Sequence, residues 1–393
     1  MATVKTAVAR VLDRINPYWD EIPWNRARNA HMKSLGLPVA KKKAAKPFRK
    51  RLVHVITMAN DGPGSENFGP GMGNIHFEIG NTLGELLGSD QVTVFGINPG
   101  ESPSSWHKRL VDLVKETDAT HIICHAEADP GDPHSWTLDE LFSMLLQSWD
   151  GVLMGVTFDS SHKWVHAKNR RLGKMSPQFL LVDICIPGQD SIVKGRREVG
   201  PVNMAISAQT LKLFDARTQG LEKKYDVSFF GALYPYRVAI IDELKILGIT
   251  VAVNPHRSDH AVDFESSRSN QPSYLDYIAG IAQSRVTINF SQSSGSTAQQ
   301  LKTRLVEATS VGTFVLTDDR ERTREYFEPH EYGYFSSIEE LPGVVTAVLS
   351  RGKELDDLAV TLREKGRKLA RNNFWQGVDE GLAARNLPRV FTD

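Results

Sequence analysis

The chain has 393 residues with 47 Lys and Arg against 47 Asp and Glu, 40% hydrophobic and 24% charged, an ordinary globular composition long enough for two domains. A formal net charge of zero gives no global electrostatic reason to bind nucleic acid or an anionic membrane. No apolar stretch approaches the ~20 residues that span a bilayer, and MATVKTAVARVLDRINPYWDE carries charges too early and too often for a secretory signal.

The two cysteines, Cys124 and Cys185, each sit in an apolar run (HIIC, VDICI). They read as buried strand thiols of a cytoplasmic protein, not as a disulfide or metal site.

In chain order, Thr3 to Ile15 has helical spacing, with Val4, Val8, Val11, Leu12 and Ile15 apolar and Pro17 marking the end. Pro38 to Pro47 is a linker, and residues 1–50 form an extension ahead of the core. In Lys41 to Arg51 seven of eleven residues are basic. This run reads as a solvated linker; a peripheral contact with anionic lipid is the alternative. The first core strand, Leu52 to Met58, enters the loop NDGPGSENFGPGMGN, followed by a helix over Ile75 to Leu87. Gly62, Gly64, Gly69, Gly71 and Gly73 let a ligand approach the backbone, but their spacing is not G-x-G-x-x-G. A flexible loop over a cleft and an anion cradle both stay open.

Strand-like runs follow at Val92 to Ile97, His121 to Cys124, Gly151 to Val156, Phe179 to Ile184 and Val202 to Ile206, with helices at Trp106 to Glu116 and Leu138 to Gln147. This alternation predicts a mainly parallel sheet with helices on both faces. His125 to Pro133 (HAEADPGDP) packs one histidine and three carboxylates behind a strand end. Asp129 and Asp132 are hard oxygen ligands, yet Asp and Pro favour turns by themselves, so an acidic turn is preferred. Asp159 ends the next strand at the same rim. His162 and His166 lack a third ligand.

Polarity rises at Phe214 to Lys224 and a second alternation starts at Asp226, so the domain boundary is expected near 216–225. The expected division is 51–218, 219–352 and a helical segment 353–393. Strands are predicted at Val227 to Phe230, Thr250 to Val253, Arg285 to Phe290 and Thr313 to Thr317, with helices at Val238 to Leu247 and Leu275 to Gln283. In such open sheets ligands bind beyond the strand carboxyl ends, which places a site in the cleft between the domains.

Within the second half, a strand ending at Phe290 runs into a loop of small polar residues, Ser291 to Thr297 (SQSSGST), then a helix, then a strand ending in Asp318 and Asp319. Such a helix start offers unpaired N–H groups and partial positive charge to a phosphate. On one continuous helix Gln300, Arg304 and Glu307 share a face, while Leu301, Leu305 and Ala308 share another. Lys302 lies about 200° round that helix from Arg304 and reaches the same anion only around the N-terminus. An Arg304–Glu307 ion pair on a solvated face is the alternative, contributing ~0.3–0.5 kcal/mol.

The run Gln300-x-Lys302-x-Arg304-x-x-Glu307-Ala308, the following Gly, TFVLTDD and REYFEP resemble the C-terminal domain of group 1 glycosyltransferases, and among them the spore-maturation (CgeB-like) branch with the GT-B fold. DVSFFGALYPYR, Asp226 to Arg237, resembles the first strand and turn of the same domain. The resemblance implies an α/β protein of two Rossmann-like domains facing a central cleft, with a C-terminal helix crossing back onto the first.

It also implies a donor site. Arg304, with Lys302, goes to the diphosphate and Glu307 to the ribose hydroxyls. Gly231, Gln300 and the loop residues Ser294, Gly295, Ser296 and Thr297 line the nucleotide sugar. Arg237 reaches the phosphate from the opposite wall, or is a surface arginine starting a helix. Tyr234 and Tyr236 stack on a base or cover the turn. Retaining members carry Glu-x7-Glu; Gln299 stands at the first position, where an amide can bond a sugar hydroxyl without balancing positive charge. The reading leans to retention.

On the acceptor side, Gly69, Gly71, Gly73, Glu127 and Asp129 are candidate contacts, and His125 and Asp159 join Arg304 and Glu307 as candidate catalytic groups. An unperturbed histidine titrates near neutral pH, so His125 is the preferred base; a buried histidine tying down the Asp129 turn is the alternative. The expected activity is transfer of a sugar from a nucleotide diphosphate sugar to a saccharide, lipid-linked or protein acceptor. Neither a metal nor a cofactor is expected, and no nucleic acid partner. An epimerase or phosphorylase of the same fold and a non-catalytic bilobed binding protein are the alternatives.

Overall fold

The computed structural model describes residues 52–56, 72–96, 101–125, 145, 149–157, 178–183, 202–231, 233–253, 274–292 and 299–391. The N-terminal extension, the basic run and Cys185 lie outside them.

Two five-stranded sheets organise the chain, and every pairing in them is parallel. The first contains β1 (Leu52–Ile56), β2 (Val92–Gly96), β3 (His121–His125), β4 (Val152–Thr157) and β5 (Phe179–Asp183), in the order β2-β1-β3-β4-β5. The second contains β6 (Tyr225–Phe229), β7 (Val251–Val253), β8 (Ser284–Asn289), β9 (Phe314–Thr317) and β10 (Tyr332–Tyr334), in the order β10-β9-β8-β6-β7. Both are doubly wound. The order reverses between β1 and β3 in one sheet and between β6 and β8 in the other, and these are the points where such folds open a crevice for a ligand.

Strand sequences follow from burial. All six residues of β4 (VLMGVT) and all five of β5 (FLLVD) are buried, as expected when helices cover both faces of a parallel sheet. On β3 the strand period of two sorts the faces. Ile122 and Cys124 pack with Trp106, Leu110 and Val114 of α2 (Pro103–Thr117), whereas Ile123 packs with Ile79 and Leu83 of α1 (Met72–Leu87). Helix α2 is bounded by local chemistry. Ser102 caps it, its hydroxyl accepting from Ser105 N at 3.4 Å, Pro103 takes the first turn, and Asp118 ends it in the left-handed region at φ 51°.

The second half holds α3 (Ala208–Thr218), α4 (Pro235–Ile246), α5 (Tyr274–Ala282), α6 (Thr303–Ser310), α7 (Arg320–Tyr326), α8 (Leu341–Leu349) and α9 (Lys353–Ala384). Helix α9 has 32 residues, which at 1.5 Å each gives roughly 48 Å, long enough to cross from one sheet to the other. Its Leu355, Leu362, Leu369 and Ala370 belong to the core of the second sheet. Phe374, Trp375, Val378 and Leu382 belong to the core of the first. The Trp375 indole donates to Thr82 Oγ1 on α1 at 2.9 Å, and beyond the helix Pro388 O pairs with His121 Nε2 at 2.9 Å. The expected crossing helix is present.

Two expectations need correction. Val202 to Ile206 is not a strand: Asn203 N donates to Asn373 Oδ1 and Ile206 N to Ala370 O, so the segment bonds α9 instead of a sheet. An apolar run records burial, and a buried connector shows it as well as a strand does. The crossover between cores also comes earlier than 216–225. Val202, Met204 and Ala205 pack in the first core, whereas Ile206 and, on α3, Leu211 and Phe214 pack in the second.

Phe374 is fully buried where α9 meets the first sheet. Phe374→Ala is expected to destabilise the protein by about 3–5 kcal/mol, read as a lowered urea midpoint.

Candidate active site

At the reversal point of the second sheet, β6 runs through Phe230 into Gly231, and α4 begins at Pro235 with Tyr234 at its N-cap. Beside it, β8 ends at Asn289 and continues into Ser291 and Gln292. The chain returns at Gln299, which bridges Gln292, while Gln300 N donates to Ser291 O at 3.0 Å. These contacts close the neck of the small-residue loop; Ser294, Gly295, Ser296 and Thr297 lie outside the described residues. Asp318, just past β9, fixes the neck from a third side. Its Oδ1 accepts from Ser291 N at 2.6 Å and its carbonyl accepts from Gln299 Nε2 at 3.0 Å.

Two arginines converge here. Arg304, in the first turn of α6, donates to Ile288 O at 3.3 Å and to Phe230 O, so one guanidinium joins the ends of β8 and β6. Its carbon lies 5.2 Å from the Phe229 ring centroid, and its buried Nε has no partner among the described residues. Arg237, 7% exposed, donates to Gln292 O at 3.1 Å. Its guanidinium carbon stands 4.7 Å from the ring of Tyr234, 4.8 Å from Phe290, 5.3 Å from Tyr236 and 5.4 Å from Phe229. The alternative of a surface arginine is therefore set aside: aromatic faces shelter this cation. Burial lowers its pKa, and the nearby Arg304 charge adds to that, while Tyr236 and Tyr234 oppose it.

Gly231 makes the approach possible. A Cβ there would stand 3.1 Å from Arg304 Nη2 and 3.2 Å from the Phe229 ring.

Helix α6 starts at Thr303, with Lys302 extended at its N-cap. Gln300 and Leu301 therefore precede the helix, and the shared face expected for Gln300, Arg304 and Glu307 does not form. The backbone at Gln299 and Gln300 is committed to closing the neck, which holds it out of helical geometry. Lys302 Nζ donates to Gln300 Oε1.

Glu307 differs most from its expected setting. It is 7% exposed, and its two oxygens accept from Tyr274 Oη at 2.9 Å and Tyr277 Oη at 2.6 Å. Burial raises its pKa, while the Tyr277 and Tyr274 hydroxyls and then Arg304 pull it back. Among the described residues it makes no ion pair with Arg304, so the solvated pair is absent. Tyr274 and Tyr277, stacked with centroids 6.0 Å apart on α5, were not singled out in the sequence. Their i, i+3 spacing on a helix was the available signal. The Phe229 and Phe290 rings were missed too, because strand periodicity marks them only as core.

In the first sheet, β3 ends at His125, beside β1, at that sheet's reversal point. Gly73 lies in the first turn of α1, which starts three residues before the expected Ile75 and takes this glycine out of the loop. Gly69, Gly71, Glu127, Asp129 and Asp159 lie outside the described residues. Among the described residues no cluster of three His, Cys, Asp or Glu side chains is arranged to hold a metal ion, and no helix is long and apolar enough to cross a membrane.

Chemically, the second-sheet site offers cations on an aromatic floor, at a crevice point of the fold, next to the neck of a loop. Such an arrangement suits a multiply charged anion.

Comparison with known proteins bears on the fold and on part of the sequence. Residues 237–374 match the family described as glycosyl transferase-like. No curated protein matches the sequence. The fold is similar to that of sucrose-phosphate synthase from Thermosynechococcus elongatus, at 13% identity and TM-score 0.51, over 86% of this chain and 98% of that one. It is also similar to an alpha-glucosyltransferase in complex with UDP and a 13-mer DNA, at 10% identity and TM-score 0.50, over 83% of this chain and 95% of that one. The chain thus has the GT-B architecture of two Rossmann-like domains, and residues 237–374 are similar to the glycosyl transferase-like family.

Proposed function

We propose that this protein is a glycosyltransferase that moves a sugar from a nucleoside diphosphate sugar to an acceptor held on the first domain. The observation that carries the reading is the convergence of Arg237 and Arg304 at the reversal point of the second sheet, with both guanidiniums bonded to backbone carbonyls. Carbonyls orient a cation without neutralising it; Asp318 lies within electrostatic range of Arg237 and Glu307 within that of Arg304, so the pair meets a diphosphate with its charge partly offset. As the glycosidic bond breaks, negative charge grows on the departing diphosphate, and fixed cations already in place lower the barrier most at that moment. The neck residues Ser291, Gln292, Gln299 and Gln300, with Lys302, complete this wall. A carboxylate has about four acceptor positions, so Glu307 retains two beyond those its tyrosines occupy, and these are assigned to the ribose hydroxyls. His125, at the matching point of the first sheet, is assigned as the acceptor-side base.

Three outcomes test the reading. Arg304→Ala should cut transfer by roughly 10²–10³-fold, the scale for losing one donor to a developing anion, with the circular dichroism spectrum retained. Release of free nucleoside diphosphate is the measurement, and normal turnover by a folded variant sinks the assignment. Gly231→Ala should push the guanidinium aside and weaken UDP binding by roughly tenfold, ~1.4 kcal/mol, read by calorimetry. With arginines in the charge-neutralising position, transfer should persist in excess chelator; complete, metal-reversible inhibition would overturn that point.

A further inference from the structure

Away from the donor site, α1 and α3 meet where the two halves of the molecule join. Ile79 and Leu83 anchor α1 in the first core, and Leu211 and Phe214 anchor α3 in the second. Glu78, Asn81 and Glu85 are spaced i, i+3, i+7 and so occupy one face of α1. That face grips the start of α3. Ser207 N donates to Glu78 Oε2 at 2.5 Å, Ala208 N to Glu85 Oε2 at 2.8 Å, and Gln209 N to Glu85 Oε1 at 2.9 Å. Asn81 Nδ2 donates to Ser207 Oγ at 2.8 Å and to Gln209 Oε1 at 3.2 Å. Helix starts leave N–H groups unpaired, and here the other half of the molecule supplies their acceptors.

One atom does not fit. Glu78 is 3% exposed, and its Oε1 is buried without a partner. An ionised carboxylate held this way forgoes hydration on one oxygen, and the Thr210 and Ser207 groups beside it offset that only in part. A proton on Oε1 removes the charge while Oε2 continues to accept from Ser207 N.

We propose that Glu78 makes this contact a proton-linked joint between the two halves, closed when Glu78 is protonated and loosened when it is ionised. Among the described residues the groups around it are few. Glu85 on its own helix adds negative charge, α3 presents the Ser207 and Thr210 hydroxyls with its first amides, and α5 presents Tyr274, within electrostatic range. Helix α9 presents Trp375, which is bonded to Thr82. Burial raises the Glu78 pKa to about 7, the Thr210 and Ser207 bonds oppose it, and Glu85 adds to it. The sign follows: this carboxyl's contribution to stability is fully present below its ordinary unfolded pKa and is lost as pH rises through about 7. Above that pH, water entering the joint relieves the ionised group.

The joint is read on the full chain without ligand, so its test is independent of the donor-site assignment. Amide hydrogen exchange is followed at Ser207 to Thr210 from pH 6 to 8.5 and corrected for its intrinsic pH dependence, with α2 amides as internal control. Opening linked to one ionisation should show an excess acceleration of roughly fivefold between pH 6 and 7 and a levelling near ~tenfold above it. Glu78→Gln should lack this excess, Glu85→Gln should keep it, and the wild-type Tm should fall relative to Glu78→Gln as pH rises through the same range. Exchange at α3 that follows only the intrinsic dependence, or parallel melting profiles, overturns the proposal. Should Glu78→Gln fail to fold, the wild-type exchange profile alone decides.

Discussion

Helix α9 is the constraint on which the arrangement depends. Each sheet could bury its own strands, but nothing in the strands themselves ties one sheet to the other. A single continuous helix that contributes Leu355, Leu362 and Leu369 to one core and Phe374, Trp375 and Val378 to the other makes the two burials one event. The residues are ordinary apolar ones. Their effect comes from helix length and rigidity, because a helix cannot bend away from either core without losing backbone hydrogen bonds. The connector at 202–207 then lies against α9 and passes from core to core beside it.

At the carboxyl edge of the second sheet the balance is electrostatic. Two arginines near each other repel, and burial worsens this by removing water. The structure offsets these costs with carbonyls at the ends of β6 and β8 and with aromatic faces, most of all around Arg237. Asp318, whose own pKa is raised by burial and lowered by Ser291 and then Arg237, spends its Oδ1 on the loop neck. The result is a hydrogen-bonded wall made from three strand ends and one helix start, with two arginines set among its carbonyls and aromatic rings. Polar groups held this firmly need little reorganisation when an anion arrives.

Much was legible in the sequence. Alternating apolar runs marked nine of the ten described strands closely enough to place both parallel sheets, because a strand buried on two faces reads as an uninterrupted apolar run. The grouping of Gln300 to Glu307, with DVSFFGALYPYR, pointed to the region where Arg237 and Arg304 meet. Failures arose where one pattern has two physical causes. Val202 to Ile206 looked like a strand because burial under α9 selects the same residues. Gln300 looked helical because its neighbours are, although its backbone closes a loop neck.

The amino-acid sequence by itself therefore determined the fold class, the order of its elements and the residue types available for binding an anion. Those follow from local periodicity and from side-chain chemistry, which act over a few residues. Tertiary structure alone decided which partners those residues take. It gave Glu307 to two tyrosines, placed Arg237 among aromatic rings, and set Glu78 with one unpaired oxygen against the start of α3. The Glu307, Glu78 and Phe290–Arg237 contacts join residues 30 to 129 positions apart, and desolvation at such contacts depends on everything packed around them, which no local pattern encodes.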